Sequence, residues 1–310
     1  MAIQTQTFEQ SLAHDTYSTQ ELQSWEYATQ FVSSLANDPN FIEYTTGLDI
    51  DSDSQRSFDY AYALSEYAES YVGEYADMFD EQAAEQIRII ANMPYAAYAS
   101  VAIDLYNQRR KRGERLPESE WEHYNTLKAQ TVWYNQMTNV YMYRHGNESF
   151  GTISQAAAGT MLDYVPHHDI SLFEQKATDI LRGARTEAAA RHFIESLEPF
   201  GISVRAATIE EDLHGADIVV SFGSQQAYID IKASLNKLAE EAHGYEFTEQ
   251  GNMYHLPHAK PGRQQNVLLF PGFTDNDLGD SMRLSDKITD ERRMAIGSQL
   301  TRIFAALKMR

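Results

Sequence analysis

Apolar and aromatic residues recur at helical spacing through the first third of the chain. Residues on one face of a helix are separated by three or four positions, and this spacing holds over residues 59–80. The stripe consists of Tyr60, Leu64, Tyr67, Tyr71, Tyr75 and Met78. Acidic residues occupy the other faces. We therefore predict a mostly helical region over residues 8–107, in which the tyrosines pack against other helices.

Two breaks are predicted in this helical pattern. Pro94 lacks an amide hydrogen and should interrupt the helix that follows residue 81. Residues 108–117, Gln-Arg-Arg-Lys-Arg-Gly-Glu-Arg-Leu-Pro, combine a run of bases with glycine and proline, which indicates a basic turn. Such a turn is either a solvated loop beside an acidic neighbour or a phosphate contact. A helical pattern resumes over residues 118–143.

The pattern changes after residue 170. Alternating and apolar runs predict strands at 201–208, 216–222, 227–233 and 266–270. Helical spacing predicts helices at 172–197, with a possible break near Gly183, at 234–243, and in a terminal segment that begins near Ile296. No element is predicted for the long stretch 244–265, which contains glycine, proline and histidine. The order of elements is α-β-β-β-α-β-α.

These patterns divide the chain into two predicted domains of a mixed α/β protein. Residues 1–150 form a mostly α-helical, acidic domain. Residues 144–170 are rich in glycine, serine and histidine, so residues 151–170 are assigned to a linker, and residues 171–310 form an α/β domain. A chain of 310 residues is long enough for two domains of ordinary size.

Charge is distributed unevenly between these regions. The whole chain has a formal net charge of −20, which by itself argues against a protein that coats nucleic acid. Residues 1–108, however, carry 18 acidic and two basic side chains, whereas residues 171–310 carry 20 acidic and 16 basic ones. The acidity therefore belongs mainly to the helical domain, which could repel DNA or cover the second domain until a partner binds.

Candidate chemistry lies on the two central strands. If Gly223-Ser224 forms a hairpin turn, Ile218 pairs with Ile229, and Asp217 lies opposite Asp230 on the polar face of the sheet. Lys232 then points to the same face as Asp230. Opposed carboxylates repel each other unless a cation lies between them. Carboxylate and carbonyl oxygens are the ligands that Mg²⁺ or Mn²⁺ prefers, and the carbonyl of Ile231 is a further candidate.

A third acid precedes the strands. Glu187 begins a stripe that continues with Ala190, Ile194 and Leu197 and should pack on the sheet. A buried carboxylate is costly unless it is paired or bound to metal. The alternative is a carboxylate stabilised near a helix start that Thr186 caps.

The motif Glu187, Gly-Ala-Asp at 215–217 and Asp-Ile-Lys at 230–232 resembles the PD-(D/E)xK, or restriction endonuclease-like, nuclease superfamily. The resemblance covers residues 171–310 only. It implies an α-β-β-β-α-β core with Glu187, Asp217 and Asp230 as metal ligands and Lys232 orienting the attacking water. Ala216 stands where the family motif has proline, a small departure.

The resemblance implies a Mg²⁺- or Mn²⁺-dependent deoxyribonuclease, with an endonuclease and a homodimer as further expectations. The alternative is an inactive member that serves as a DNA-binding or structural subunit; an RNA nuclease is less favoured because no RNA-binding signature is present. Candidate DNA contacts are Arg109, Arg110, Lys111, Arg112, Lys260 and Arg263.

Other global features restrict the class of protein. The chain has no cysteine, so a disulfide framework and thiolate metal sites are excluded. It lacks a Walker-type phosphate loop, so ATP is not expected. No signal-like start or membrane-length apolar run is evident, and we therefore expect a soluble cytoplasmic protein without membrane partners.

Overall fold

The computed structural model describes residues 25–46, 53–146, 148–164, 170–196, 201–232, 246–247, 254–255 and 267–271, together with Phe273, Leu278 and Met294. The helices in these ranges are α1 (Trp25–Ala36), α2 (Pro39–Thr46), α3 (Asp53–Glu74), α4 (Glu81–Lys111), α5 (Glu118–Arg144), α6 (Phe150–Tyr164), α7 (Ile170–Glu195) and α8 (Ile209–Leu213). None of these helices is long and apolar enough to cross a membrane.

The strands are β1 (Ile202–Ala206), β2 (Ile218–Phe222), β3 (Gln225–Lys232), β4 (Glu246–Phe247), β5 (Tyr254–His255) and β6 (Val267–Pro271). They form one sheet in the order β1-β2-β3-β6-β5-β4, in which β3 and β6 are parallel and the other neighbours are antiparallel. A mostly helical first part followed by a sheet confirms the mixed α/β class. The predicted helices at 234–243 and near Ile296 lie outside the described residues.

The chain divides into two compact units. One comprises residues 1–95 and 156–167, and the other comprises residues 96–155 and 168–310. The second unit thus includes α5, which the sequence pattern assigned to the acidic helical domain. The predicted functional domains, with their boundary at 151–170, stay a prediction. Part of the proposed linker is helical, because α6 occupies Phe150–Tyr164.

The tyrosine stripe of α3 packs inside the first unit, as the helical spacing predicts. The Tyr71 ring meets Phe31 of α1 edge to face, with 5.6 Å between ring centroids. Tyr60 meets Phe41 of α2 in the same way at 5.2 Å. Aromatic rings favour this geometry because the positive ring edge approaches the negative face. These tyrosines therefore serve packing between helices.

The predicted interruption at Met93-Pro94 is wrong, since α4 continues through Pro94 from Glu81 to Lys111. Proline in a helix interior costs about 3 kcal/mol. Ile90, Met93 and Ala97 around it are completely buried, and burial of a side chain the size of Ile90 or Met93 contributes about 1.5–3 kcal/mol each. Tertiary packing therefore outweighs the local preference of the proline.

The core of the second unit lies between α7 and one face of the sheet. Ala190, Phe193 and Ile194 of α7 pack with alternate residues of the central strands. Those strand residues are Ile218, Val220, Ala227, Ile229 and Ile231. This is the apolar face that the alternation predicts. Val219, on the opposite face, is also fully buried, so the sheet is covered there as well.

The β2–β3 hairpin has the predicted register. Ile218 pairs with Ile229, and Phe222 pairs with Gln225 around the two-residue turn. Gly223 adopts a positive φ of 61°, which glycine accepts without the clash that a Cβ would cause. Two short features were not predicted: helix α8 before β2, and the strands β4 and β5 within residues 244–265.

Helix α7 is unbroken at Gly183, contrary to the break considered from sequence. A Cβ built there would lie 4.0 Å from Oδ1 of Asn135, an ordinary van der Waals distance. Glycine in a helix interior costs about 1 kcal/mol relative to alanine. We therefore expect Gly183→Ala to stabilise the protein by about 1 kcal/mol in urea unfolding.

Gly159→Ala provides a matched control, because Gly159 lies in the interior of α6 and a Cβ there would meet nothing within 4 Å. Similar gains for both variants are expected. Destabilisation by Gly183→Ala alone would show that α5 and α7 approach each other more closely than this structure indicates.

Candidate active site

Asp217 lies immediately before β2 and is held by the neighbouring strands. Its amide donates a hydrogen bond to the carbonyl of Ile229 at 2.8 Å, and its own carbonyl accepts one from Ala207 at 3.0 Å. Its carboxylate Oδ2 accepts a hydrogen bond from the amide of Ile231 at 2.5 Å. The paired residues of β2 and β3 begin at Ile218 and Ile229, so Asp217 is not a strand partner of Asp230 as predicted. Asp217 instead contacts β3 through its side chain, at the amide of Ile231.

The pKa of Asp217 is affected by the two other predicted acids, Glu187 and Asp230. Burial raises the pKa of Asp217 well above its ordinary range, and the charges of Glu187 and then Asp230 raise it further. Asp212 adds to this effect, whereas the hydrogen bond from the Ile231 amide opposes it. Glu187 and Asp230, both chosen from the sequence, are thus close enough to Asp217 for their charges to disfavour its ionisation.

Glu187 is 8 % exposed and lies on α7. Its Oε1 accepts a hydrogen bond from Nδ2 of Asn135 at 3.0 Å, and its Oε2 accepts one from Nδ2 of Asn139 at 3.3 Å. Both asparagines belong to α5. The carboxylate is therefore satisfied by side-chain amides, and its place is explained by these contacts instead of a helix start, since α7 begins at Ile170.

The two asparagines were missed by the sequence interpretation. Their spacing of four residues places them on one face of α5, but polar amides on a helix usually indicate a solvent face. The signal that could have identified them is the aromatic and small residues beside them in the sequence. Tyr134, Thr138 and Tyr141, which surround them in sequence, are buried.

A half-buried arginine, Arg191, extends this network. Nη1 of Arg191 donates to Oδ1 of Asn139 at 3.3 Å, and its guanidinium lies 3.8 Å from the ring centre of Tyr143. Burial lowers the pKa of Arg191, while the nearby charges of Tyr143, Glu195 and Glu187 oppose that change. A positive charge is thus placed one helical turn from Glu187, where it partly balances the acidic site.

Helix α5 also holds the segment that leads to Asp217. Nε2 of Gln136 donates to the carbonyl of Ala207 at 3.1 Å and to Oδ2 of Asp212 at 3.3 Å. Nζ of Lys128 donates to the carbonyl of Leu213 at 3.1 Å. These bonds attach the turn around α8 to α5, which fixes the approach of the chain to β2.

The same turn is closed by its own charged residues. Thr208 and Glu211 form a reciprocal capping box at the start of α8. Arg205 of β1 donates two hydrogen bonds to the Glu211 carboxylate, both at 2.7 Å. The Arg205 contact holds the pKa of Glu211 at about 2. Glu211 is therefore a structural acid and stays ionised.

Asp230 and Lys232 lie at the end of β3. Strand β3 pairs with the parallel strand β6, in which Asp230 lies beside Leu269 and Lys232 lies beside Pro271. Asp230 is half-buried, and its charge reaches Asp217. The roles predicted for the Lys232 amine and the Ile231 carbonyl stay predictions.

The residues fit a hard divalent cation in donor type and charge. Three carboxylates are available, and burial together with the charges of Glu187 and Asp230 raises the pKa of Asp217, an effect that a cation would relieve. Across the described part of the chain, no group of three or more histidine, aspartate or glutamate side chains is arranged to hold a metal ion. The fit therefore concerns chemistry and charge, not a completed coordination shell.

The predicted DNA contacts separate into four groups. Arg109 is bound to Glu114 at 2.9 Å and to Glu120 at 2.8 Å, so its charge is balanced within the protein. Arg110 lies over the ring of Trp121 at 5.0 Å. Lys111 and Arg112 are exposed. Lys260 and Arg263 lie outside the described residues.

The chain was compared with protein-family models, curated proteins and solved structures, and none of the three comparisons found a match.

The raised pKa of Asp217 predicts how the stability of the protein depends on pH. A carboxyl whose pKa is raised by folding destabilises the native state as the pH rises above about 4, where the unfolded group ionises. In metal-free buffer, we expect Asp217→Asn to melt a few degrees higher than the wild type at pH 8. The difference should shrink as the pH falls toward 4.

Differential scanning calorimetry in EDTA, with Asp77→Asn as a control at an exposed position, measures this effect. Millimolar Mg²⁺ should then raise the melting temperature of the wild type more than that of Asp217→Asn. A variant that melts lower than the wild type at every pH would contradict the assignment of Asp217 as a repelled, buried acid.

Proposed function

We propose that the protein is a divalent-metal-dependent DNA nuclease of the PD-(D/E)xK type. The observation that carries this proposal is the mutual influence of Glu187, Asp217 and Asp230 at one buried carboxyl. It is supported by the helix α7 packed on the hairpin and by the confirmed hairpin register. Glu187 lies on α7 and Asp230 lies on β3, whereas Asp217 lies immediately before β2, at the edge of the strand on which the family resemblance expects it.

Each residue has a distinct role in this proposal. Glu187, Asp217 and Asp230 would hold Mg²⁺ or Mn²⁺, with the Ile231 carbonyl as a further oxygen ligand. When bound, the cation would supply a more acidic water and would stabilise negative charge on the phosphate. Lys232 would orient the water for attack on phosphorus. The Ile231 amide keeps Asp217 in place through its hydrogen bond at 2.5 Å.

One observation favours a second candidate, an inactive nuclease fold that binds DNA or another subunit. Both oxygens of Glu187 accept hydrogen bonds from asparagine side chains, and the described residues hold no ready-made three-ligand group. Such a carboxylate could be retained for stability alone. The two candidates make opposite predictions for cleavage.

The full chain should cleave DNA in Mg²⁺ or Mn²⁺, and Asp230→Ala should reduce the rate by about 100-fold or more. Loss of groups that only orient a metal ligand already costs 10- to 100-fold, so loss of a ligand should cost at least as much. Supercoiled, linear and branched DNA are incubated with each protein and with EDTA, and products are followed on gels.

Asp77→Ala serves as the matched control, since Asp77 is exposed in the short 3-10 helix Ala76–Met78. It should cleave like the wild type. Equal cleavage by the wild type and Asp230→Ala would reveal a contaminating nuclease. Absence of cleavage on every substrate, together with retained DNA binding, would favour the inactive fold.

The exposed bases Lys111 and Arg112, at the end of α4, are the part of the predicted basic turn best suited to phosphate. Because each phosphate contact releases counterions, the slope of log affinity against log salt reports the number of contacts. We expect the double variant Lys111→Ala with Arg112→Ala to lower the magnitude of this slope by about 1.8 on duplex DNA. Fluorescence anisotropy between 50 and 200 mM salt measures it.

Arg88→Ala is a control of charge, because Arg88 is paired with Glu69 in the acidic first unit. It should leave the slope unchanged. An unchanged slope in the double variant would assign the basic turn to the alternative of a solvated loop.

A further inference from the structure

We infer that helix α5 is the second wall of the proposed active site and that Asn135 and Asn139 are positioning residues for Glu187. This inference rests on the proposed function. The resemblance to a nuclease family covers residues 171–310 and assigns nothing to α5. The contacts that carry the inference therefore come from a part of the chain that the motif does not include.

The two asparagines divide the Glu187 carboxylate between them. Asn135 donates to Oε1 at 3.0 Å, and Asn139 donates to Oε2 at 3.3 Å. One donor on each oxygen fixes both the position and the rotation of the carboxylate plane.

The orientation of the Asn139 amide is determined by two further partners. Its Nδ2 also donates to the carbonyl of Ala184 at 3.1 Å, and its Oδ1 accepts from Nη1 of Arg191 at 3.3 Å. A carbonyl accepts and a guanidinium donates, so the nitrogen of Asn139 must face Ala184 and Glu187. Asn139 is therefore a preset donor toward the carboxylate.

Helix α5 positions a second part of the site as well. Gln136 lies between the two asparagines in sequence and binds Ala207 and Asp212, while Lys128 binds Leu213. These contacts hold the segment that delivers Asp217 to β2. A role confined to neutralising one buried acid would not require the same helix to hold the approach to another.

The inference is tested by direct Mn²⁺ binding to the full chain, measured by isothermal titration calorimetry. Asn135→Ala and Asn139→Ala should each weaken Mn²⁺ binding by about 10-fold, the usual range for groups that orient a metal ligand. Asn125→Ala is the matched control, since Asn125 is an exposed asparagine of the same helix. It should bind Mn²⁺ like the wild type.

Cleavage assays separate positioning from loss of fold. The asparagine variants should need about 10-fold more Mg²⁺ for half-maximal cleavage and should approach the wild-type rate when Mg²⁺ is saturating. Circular dichroism checks folding. Asn139 is buried, so Asn139→Ser is a second, milder variant if Asn139→Ala does not fold. Asn135 is only half-buried, so Asn135→Ala should disturb the fold less.

A donor–acceptor exchange tests the contact without metal or DNA. Asn135→Asp alone should lower the melting temperature in EDTA, because two carboxylates then meet. Combining it with Glu187→Gln should recover most of the loss, since the new amide can donate to the new carboxylate. Failure of this recovery would overturn the contact itself.

The outcomes distinguish this inference from the proposed function. A wild type that binds no Mn²⁺ would overturn both. A wild type that binds Mn²⁺ and cleaves DNA, with asparagine variants that bind Mn²⁺ as tightly as Asn125→Ala, would overturn only the positioning role. Weaker Mn²⁺ binding without any cleavage by the wild type would support the positioning role and reject the nuclease.

Discussion

Repulsion between closely placed carboxylates is the constraint that the contacts around Asp217 and Glu187 must satisfy. Burial and the charges of Glu187 and Asp230 raise the pKa of Asp217, so the protein keeps these acids together at a cost. The surrounding hydrogen bonds offset part of it: the Ile231 amide serves Asp217, two asparagines serve Glu187, and Arg191 supplies nearby positive charge. An arrangement that is costly in the free protein is the kind expected where a ligand supplies the missing charge.

The compact units do not coincide with the regions predicted from the sequence, because part of the helical region belongs to the second unit. Helix α5 follows the acidic first third of the chain, yet its side chains contact α7 and the turn before β2. A truncation at residue 150 intended to uncover the proposed nuclease domain would remove Asn135, Asn139 and Gln136. Any loss of cleavage in such a fragment would therefore report damage to the site, and it would carry no information about covering by the acidic domain.

The periodicity of apolar residues predicted the features that short segments determine by themselves. The alternation of β2 and β3 and the Gly223-Ser224 turn were sufficient for the exact pairing of Ile218 with Ile229, and the apolar stripe placed Glu187 against buried surroundings. Contacts between distant segments were not predictable in this way, because Asn135 and Glu187 are separated by 52 residues. The error at Pro94 has a related cause: a propensity of about 3 kcal/mol is outweighed by burial that no short segment reveals.

The two-residue turn at Gly223-Ser224 has a consequence for the evolution of this chain. Side chains alternate across a sheet, so one inserted residue in the turn would transfer Asp230 to the apolar face and Ile229 to the polar one. Gly223, with its φ of 61°, also limits which residues can replace it. The length of this turn is therefore under the same constraint as the identity of the acidic residues. Among relatives of this chain, insertions should accumulate in other connections and be absent between Phe222 and Gln225.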